Sequence, residues 1–463
     1  MKKRIIGVTL LCAFCLAMFC GCGDGSREFG KGGGKVLTYL ASSTTDLQAE
    51  KLQEIIDGFN EQIKDEGYKI EMESPGGEYY TSLGNMFNTS DAPDIFLMDG
   101  GNFASYARLG YLLDLGEYLE NSELISEQDL WDINSYYRYD RTAGVGEGTL
   151  YGLIKDWSPD FMLLYNKTQL EEYNQRNPQD TITIDSQTPM TWQEFYMAAS
   201  KIQKGLGIQY GTSIGFESYK HLMEWVQMTG SELFTDDYTK LNVQDSGVRS
   251  AFEFFCALQK DNAVEFPDYP SQNGGKAPAT YTVGASVAEQ ESFKQGRMFS
   301  IFSGLWAFYT YGFYDVNFEI GIAPPPVYDK SDGVYAGSSG MLAHCISSTC
   351  QNPDIAFRFL EYYMTTGQEI MAGIGFNIPG NKTVAASDAF LNPSDAKVKE
   401  LNNYFYNLAL SGKVHPIEYN PKIGFDKMST HMQNQFSKYF SGDQSFDEML
   451  SELKRQLEQE LII

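Results

Sequence analysis

Apolar positions along the chain alternate between two periods. Val36-Leu37-Thr38-Tyr39-Leu40 is a short, nearly continuous apolar run that predicts a buried strand. Leu52, Ile55, Ile56, Phe59 and Ile63 then recur at helical spacing among acidic and amide residues, which predicts an amphipathic helix. Tyr68 to Glu73 alternates and reads as a second strand, a helix is expected over 80–89, and Pro93 to Met98 reads as a third, buried strand. Strands alternating with helices imply an α/β sheet with parallel pairing. After a Gly-rich break at 144–148, two apolar runs, 150–154 and 162–165, flank Trp157-Ser158-Pro159. Thr191 and Glu194 have capping-box spacing, and the helix they open turns Trp192, Phe195, Ala199 and Ile202 inward. Residues 297–302 and 318–323 read as further strands, the second ended by Pro324-Pro325-Pro326. The chain closes on a helical stripe of Phe446, Met449, Leu450, Leu453, Leu457 and Leu461.

The N-terminus follows a different rule. Lys2, Lys3 and Arg4 precede an apolar run from Ile5 to Phe19, short for a bilayer span of about 20 residues. We read 1–21 as a cleaved export signal rather than an uncleaved hydrophobic N-terminus. Phe19-Cys20-Gly21-Cys22 resembles a bacterial lipobox, with Phe19 where that pattern usually has Leu and with small Gly21 before the acceptor Cys22. The glycine-rich stretch that follows, within 22–35, is the composition of a flexible tether.

Composition narrows the function. The 463 residues carry a net charge of -26, and loss of the signal removes three cations and no acid, taking it to -29. An acidic chain with no basic cluster argues against nucleic acid as the partner. The length suits two or three domain-sized units. Beyond the signal and Cys22, Cys256, Cys345 and Cys350 remain, an odd number without metal-ligand spacing; Cys345 and Cys350 are close enough in sequence to pair, although free thiols are the simpler expectation. The four histidines are isolated, and there is no HExxH, GxSxG, P-loop or GxGxxG pattern. No cofactor and no metal are expected, and no enzyme is indicated. A secreted glycoside-active enzyme and a glycan adhesin stand as the alternative classes.

Several segments, taken in order, resemble the extracellular solute-binding proteins of carbohydrate ABC importers, the maltose-binding-like family. They are the 90–115 stretch with Pro93-Asp94 and Asp114-Leu115, Leu150 to Lys167, Pro189 to Phe195, Phe293 to Trp306, Ile322 to Pro324 and Ala356 to Leu360. Lys155 departs from the pattern, which often has Pro there, and Ser338-Ser339-Gly340 departs where a bulky residue sometimes sits. The resemblance implies a two-lobe, type II periplasmic-binding-protein-like α/β fold with a hinge of several crossing segments. The expected lobes are 36–156 with 324–373 and 157–323 with 374–463. It further implies a carbohydrate ligand, ABC permease subunits as partners, a lipid on Cys22 holding a monomer to the extracellular face of the bacterial membrane, and no change to the ligand.

Candidate ligand contacts follow from side-chain chemistry. Trp306 matches the family's tryptophan after a Gly-containing strand end, and an indole face suits the C–H face of a sugar ring. Trp157 lies in the hinge-crossing segment. Asp99 follows the third strand, and strand C-termini in α/β sheets are where ligands sit. Ser43, with Ser42 and Thr44, follows the first strand; Tyr80, with Tyr79, opens a helix. Glu224 and Trp225 fall in the second lobe, Phe376 and Asn377 near the third crossing, and Gly337 and Ser338 where backbone approaches ligand closely. Trp192 is assigned to the core.

Overall fold

Two separate β-sheets organise the molecule. The computed structural model describes residues 27–29, 34–41, 45–75, 78–89, 91–212, 219–235, 237–259, 286–327, 335–338, 340–416 and 420–461. In the first sheet, Gly34–Leu40 pairs in parallel with both Tyr68–Glu73 and Ile95–Asp99. Leu342–Ile346 then enters antiparallel between Ile95–Asp99 and Leu153–Trp157. Ile378–Pro379 closes this edge against Trp157 and Asp156. In the second sheet Met162–Asn166 lies between Met298–Ser303 and Ile320–Ala323, antiparallel to both, and Tyr210–Thr212 pairs in parallel with Met298–Ser303.

In the first sheet the parallel pairs are the strands at 34–40, 68–73 and 95–99, which alternate with helices as the sequence pattern implies for βαβ connections. The antiparallel strands 153–157 and 162–166 flank the segment that passes from one sheet to the other, so their direction is set by that crossing and not by a helix. The helices obey local rules. Asp46–Gln62 is N-capped by Thr45 and buries Leu52, Ile55, Ile56 and Phe59. Trp192–Leu206 has the reciprocal Thr191–Glu194 capping box and ends on Gly207 in the left-handed conformation. Phe446–Leu461 buries Met449, Leu450, Leu453, Leu457 and Leu461.

Three apolar clusters form the core. One packs Leu52, Ile55 and Phe59 against Phe359 and Leu360 beside the first sheet. Another gathers Trp192, Trp225, Phe252 and the stripe of the last helix beside the second. The third runs between them and takes residues from both sheets, Met98, Ile154, Met162, Leu164 and Ile301 among them. A continuous apolar spine therefore accompanies the crossing segments.

Strands pair across the expected lobe boundaries in two places. Ile378–Pro379 extends the first sheet although it lies in the segment assigned to the second lobe. Tyr335–Ser338 pairs with Val414–Pro416, although the two were assigned to different lobes. Backbone hydrogen bonding at the crossings, which has no side-chain signature, decides both. Among the described residues no helix is long and apolar enough to cross a membrane. Cys22 and Ser43 lie outside the described residues, as does the side chain of Ser338, whose backbone ends Tyr335–Ser338.

Candidate functional site

The site is built where strand ends meet the first crossing. Residues 158–161 carry the chain from Leu153–Trp157 in one sheet to Met162–Asn166 in the other. Within them Asp160 is buried, and its Oδ1 accepts the indole N–H of Trp306 at 2.9 Å. Trp306 opens the short helix Trp306–Thr310 and remains half-buried. With its one polar atom committed to Asp160, the ring keeps a fixed plane. Ser158 holds the same corner, its hydroxyl accepting from the Leu305 amide at 3.1 Å.

Two glycines make room for the Asp160 carboxylate. A Cβ at Gly304 would lie 2.5 Å from Oδ1, and one at Gly340 would lie 2.7 Å from Oδ2. Gly340 stands two residues before Leu342, which is opposite Asp99 in the first sheet. Tyr137 fixes this junction by donating to the carbonyls of Met98 at 2.8 Å and Met341 at 3.0 Å. The Asp99 strand end and the Trp306–Asp160 pair are therefore brought to one place.

Asp99 caps the helix Gly100–Leu109, its Oδ1 accepting from the Asn102 amide at 2.7 Å. Its own amide donates to the Tyr80 hydroxyl at 2.8 Å. Burial, with the Asp99 carboxylate second, pushes the Tyr80 phenol well above its ordinary range, so it stays protonated as a donor. Tyr79 stands edge-on to Tyr80 with ring centroids 5.1 Å apart and donates to the Leu97 carbonyl at 2.9 Å, which marks it as packing.

On the other side, the Thr45 side chain stands beside the Tyr309 hydroxyl. Tyr309 lies one helical turn after Trp306, and Thr45 caps the first helix. Tyr309 also meets Phe376 edge-on at 6.2 Å, and the Lys155 ammonium lies 5.7 Å from the Phe376 ring. Lys155 is buried and paired with Asp156. Burial works against its charge, but the adjacent carboxylate prevails and holds the ammonium above the ordinary lysine range.

The structure separates the sequence candidates into two groups. Trp306, Asp99, Tyr80 and Phe376 are drawn to the strand ends just described. Trp157 is nearby but buried, packed edge-on against Trp131 at 5.4 Å, which is a hinge-packing position. Glu224 and Trp225 are both buried in the helix Tyr219–Met228, and Trp225 packs on Trp192 at 4.8 Å and Phe254 at 4.9 Å, a core environment. Trp192 is core, as its periodicity implied. Asp160, Thr45 and Tyr309 are additions. Only Asp160 left a signal, its place beside Pro159 in the segment that drew attention to Trp157.

Two sheets joined by several crossing segments, with polar and aromatic side chains gathered at the junction, define a two-lobed binding-protein fold of type II. The chain belongs to the bacterial extracellular solute-binding proteins, whose family model matches residues 54–399. Solved structures share the fold at low identity. An ABC substrate-binding protein from Listeria monocytogenes, in complex with cycloalternan, is 17% identical with a TM-score of 0.70, over 92% of this chain and 98% of that one. A solute-binding protein from Thermotoga lettingae bound with alpha-D-tagatose is 21% identical with a TM-score of 0.68, over 92% and 99%. The sugar-binding protein MalE from Xanthomonas citri is 19% identical with a TM-score of 0.67, over 92% and 97%.

Proposed function

We propose that this protein captures a carbohydrate, an oligosaccharide, between its two lobes and delivers it unaltered to an ABC permease. The observation that carries this reading is Trp306, a half-buried indole whose N–H is held by Asp160. A ring fixed in this way offers an apolar face at little entropic cost on binding. Around it stand hydroxyl donors and carboxylate acceptors, the groups a polyhydroxylated ligand needs once removed from water. The ligands named for two of the solved structures, cycloalternan and alpha-D-tagatose, support the same class.

Ligand contacts from both lobes favour the closed arrangement, and closure gives a permease a surface that differs between loaded and empty protein. In the same reading, the lobes comprise 36–156 with 324–373 and 157–323 with 374–463, exchanging strands at their edges. Acyl chains on Cys22 hold the protein, as a monomer, at the extracellular face of the membrane.

Calorimetry against a panel of neutral saccharides tests the reading. It expects stoichiometric binding by at least one member with the saccharide recovered intact; turnover, or no binding by any, would remove it.

A further inference from the structure

Lys155, the residue that departs from the hinge pattern, borders a small cavity that Phe376 also lines, into whose largely apolar wall a few polar groups are set. Its walls include Lys155, Asp156, Tyr363, Gln368, Phe376 and Asn377, and its volume is about 20 Å³. All six are buried. Most of their polar atoms are accounted for. Asp156 pairs with the Lys155 ammonium and accepts from Asn377 Nδ2 at 3.0 Å. Gln368 donates to the Lys155 carbonyl at 3.0 Å and accepts from the Asn381 amide at 2.8 Å. Two atoms have no partner among the described residues, the Tyr363 hydroxyl and Asn377 Oδ1.

Those two atoms are complementary to a single small molecule. A phenol donates, an amide oxygen accepts, and buried polar atoms are bonded in the great majority of folded proteins. Burial pushes the Tyr363 phenol up to about 12, which keeps its proton available. A cavity needs about 10–15 Å³ to hold one water, and polar cavities of that size are hydrated while apolar ones stay dry. The space is far too small for a sugar ring.

We propose that this cavity is a binding site for one internal water, which accepts from the Tyr363 hydroxyl and donates to Asn377 Oδ1. The water closes a network that joins the first crossing, at Lys155 and Asp156, to the third, at Asn377, and to the segment Tyr363–Gly367. The site does not depend on what the protein captures.

Two measurements on the full chain test it. In a crystal structure of the ligand-free protein that resolves ordered solvent, a water within hydrogen-bond distance of both Tyr363 Oη and Asn377 Oδ1 is expected. An empty cavity would overturn the proposal. So would a saccharide complex in which a ligand hydroxyl fills a space that is dry in the free protein. Thermal melting of Tyr363→Phe gives an independent sign. If the hydroxyl is bonded to water, its removal lowers Tm by about 2 °C; if it is an orphan, removal leaves Tm unchanged or raises it. The ring itself packs edge-on against His344 at 4.3 Å, a contact that phenylalanine keeps.

Discussion

The indole nitrogen of Trp306 donates to Asp160 Oδ1 at 2.9 Å, across 146 residues of sequence. This bond fastens the start of a helix following the second sheet to the segment that joins the two sheets. The residue proposed to meet the ligand is thereby oriented by the hinge itself.

Truncating the platform removes its binding contribution. Trp306→Ala is expected to weaken saccharide binding about ten- to hundredfold, as loss of a central aromatic contact does. Titration calorimetry measures it, and an affinity equal to that of the parent would exclude Trp306 from the site.

A methyl group beside Asp160 has no free space. Gly304→Ala places a Cβ 2.5 Å from the carboxylate, 2.7 Å from Ser158 Oγ and 2.8 Å from the Pro159 carbonyl. The last of these is backbone and does not swing away. A loss of about 1–3 kcal/mol of stability is expected, the usual range for overpacking, together with weaker ligand binding as Asp160 and Trp306 shift. Urea unfolding midpoints report the first effect; an unchanged midpoint would show that the corner is looser than its geometry.

Trp225 is expected to matter for stability alone. It is fully buried against Trp192 and Phe254, so Trp225→Ala costs about 3–5 kcal/mol. Ligand affinity of the folded fraction should match that of the parent. A variant that melts normally yet no longer binds would return Trp225 to the site.

His344 makes the fold sensitive to acid. Its ring is buried beside Tyr39 at 2.7 Å and Tyr363, and burial, helped by the nearby Lys155 ammonium, holds its pKa well below 6.5. The unfolded chain titrates near 6.5 and so takes up a proton that the folded protein refuses. The stability held above that pH is lost as the pH falls through it. Between about pH 7.5 and pH 5, the unfolding midpoint of the parent should drop more than that of His344→Gln; parallel slopes would acquit the histidine.

Lipid attachment is tested apart from binding. Cys22→Ala should abolish incorporation of labelled fatty acid in cells while leaving saccharide affinity intact. Label retained in the variant would place the anchor elsewhere.

Local periodicity was sufficient for much of the scaffold. The strands at 34–40, 68–73 and 95–99 and the helix ending in Leu461 stand close to where apolar spacing puts them. Leu342–Ile346 was not evident, although it is central to the first sheet. Its neighbours are 95–99 and 153–157, and nothing in its own five residues specifies them. Trp225 packs on Trp192 in the second cluster, and a tryptophan looks alike in sequence whether it faces a ligand or a core.

Alone, the sequence determined many of the elements, the Thr191–Glu194 capping box, the net acidity and the family resemblance, because each rests on neighbours in the chain or on the ordered series of short motifs. Tertiary structure alone decided that Asp160 holds Trp306, that Gly304 and Gly340 clear its carboxylate, and that Asn377 reaches Asp156. These are meetings of residues far apart in sequence, selected by how two sheets share their crossing segments, and no periodicity encodes such a distance.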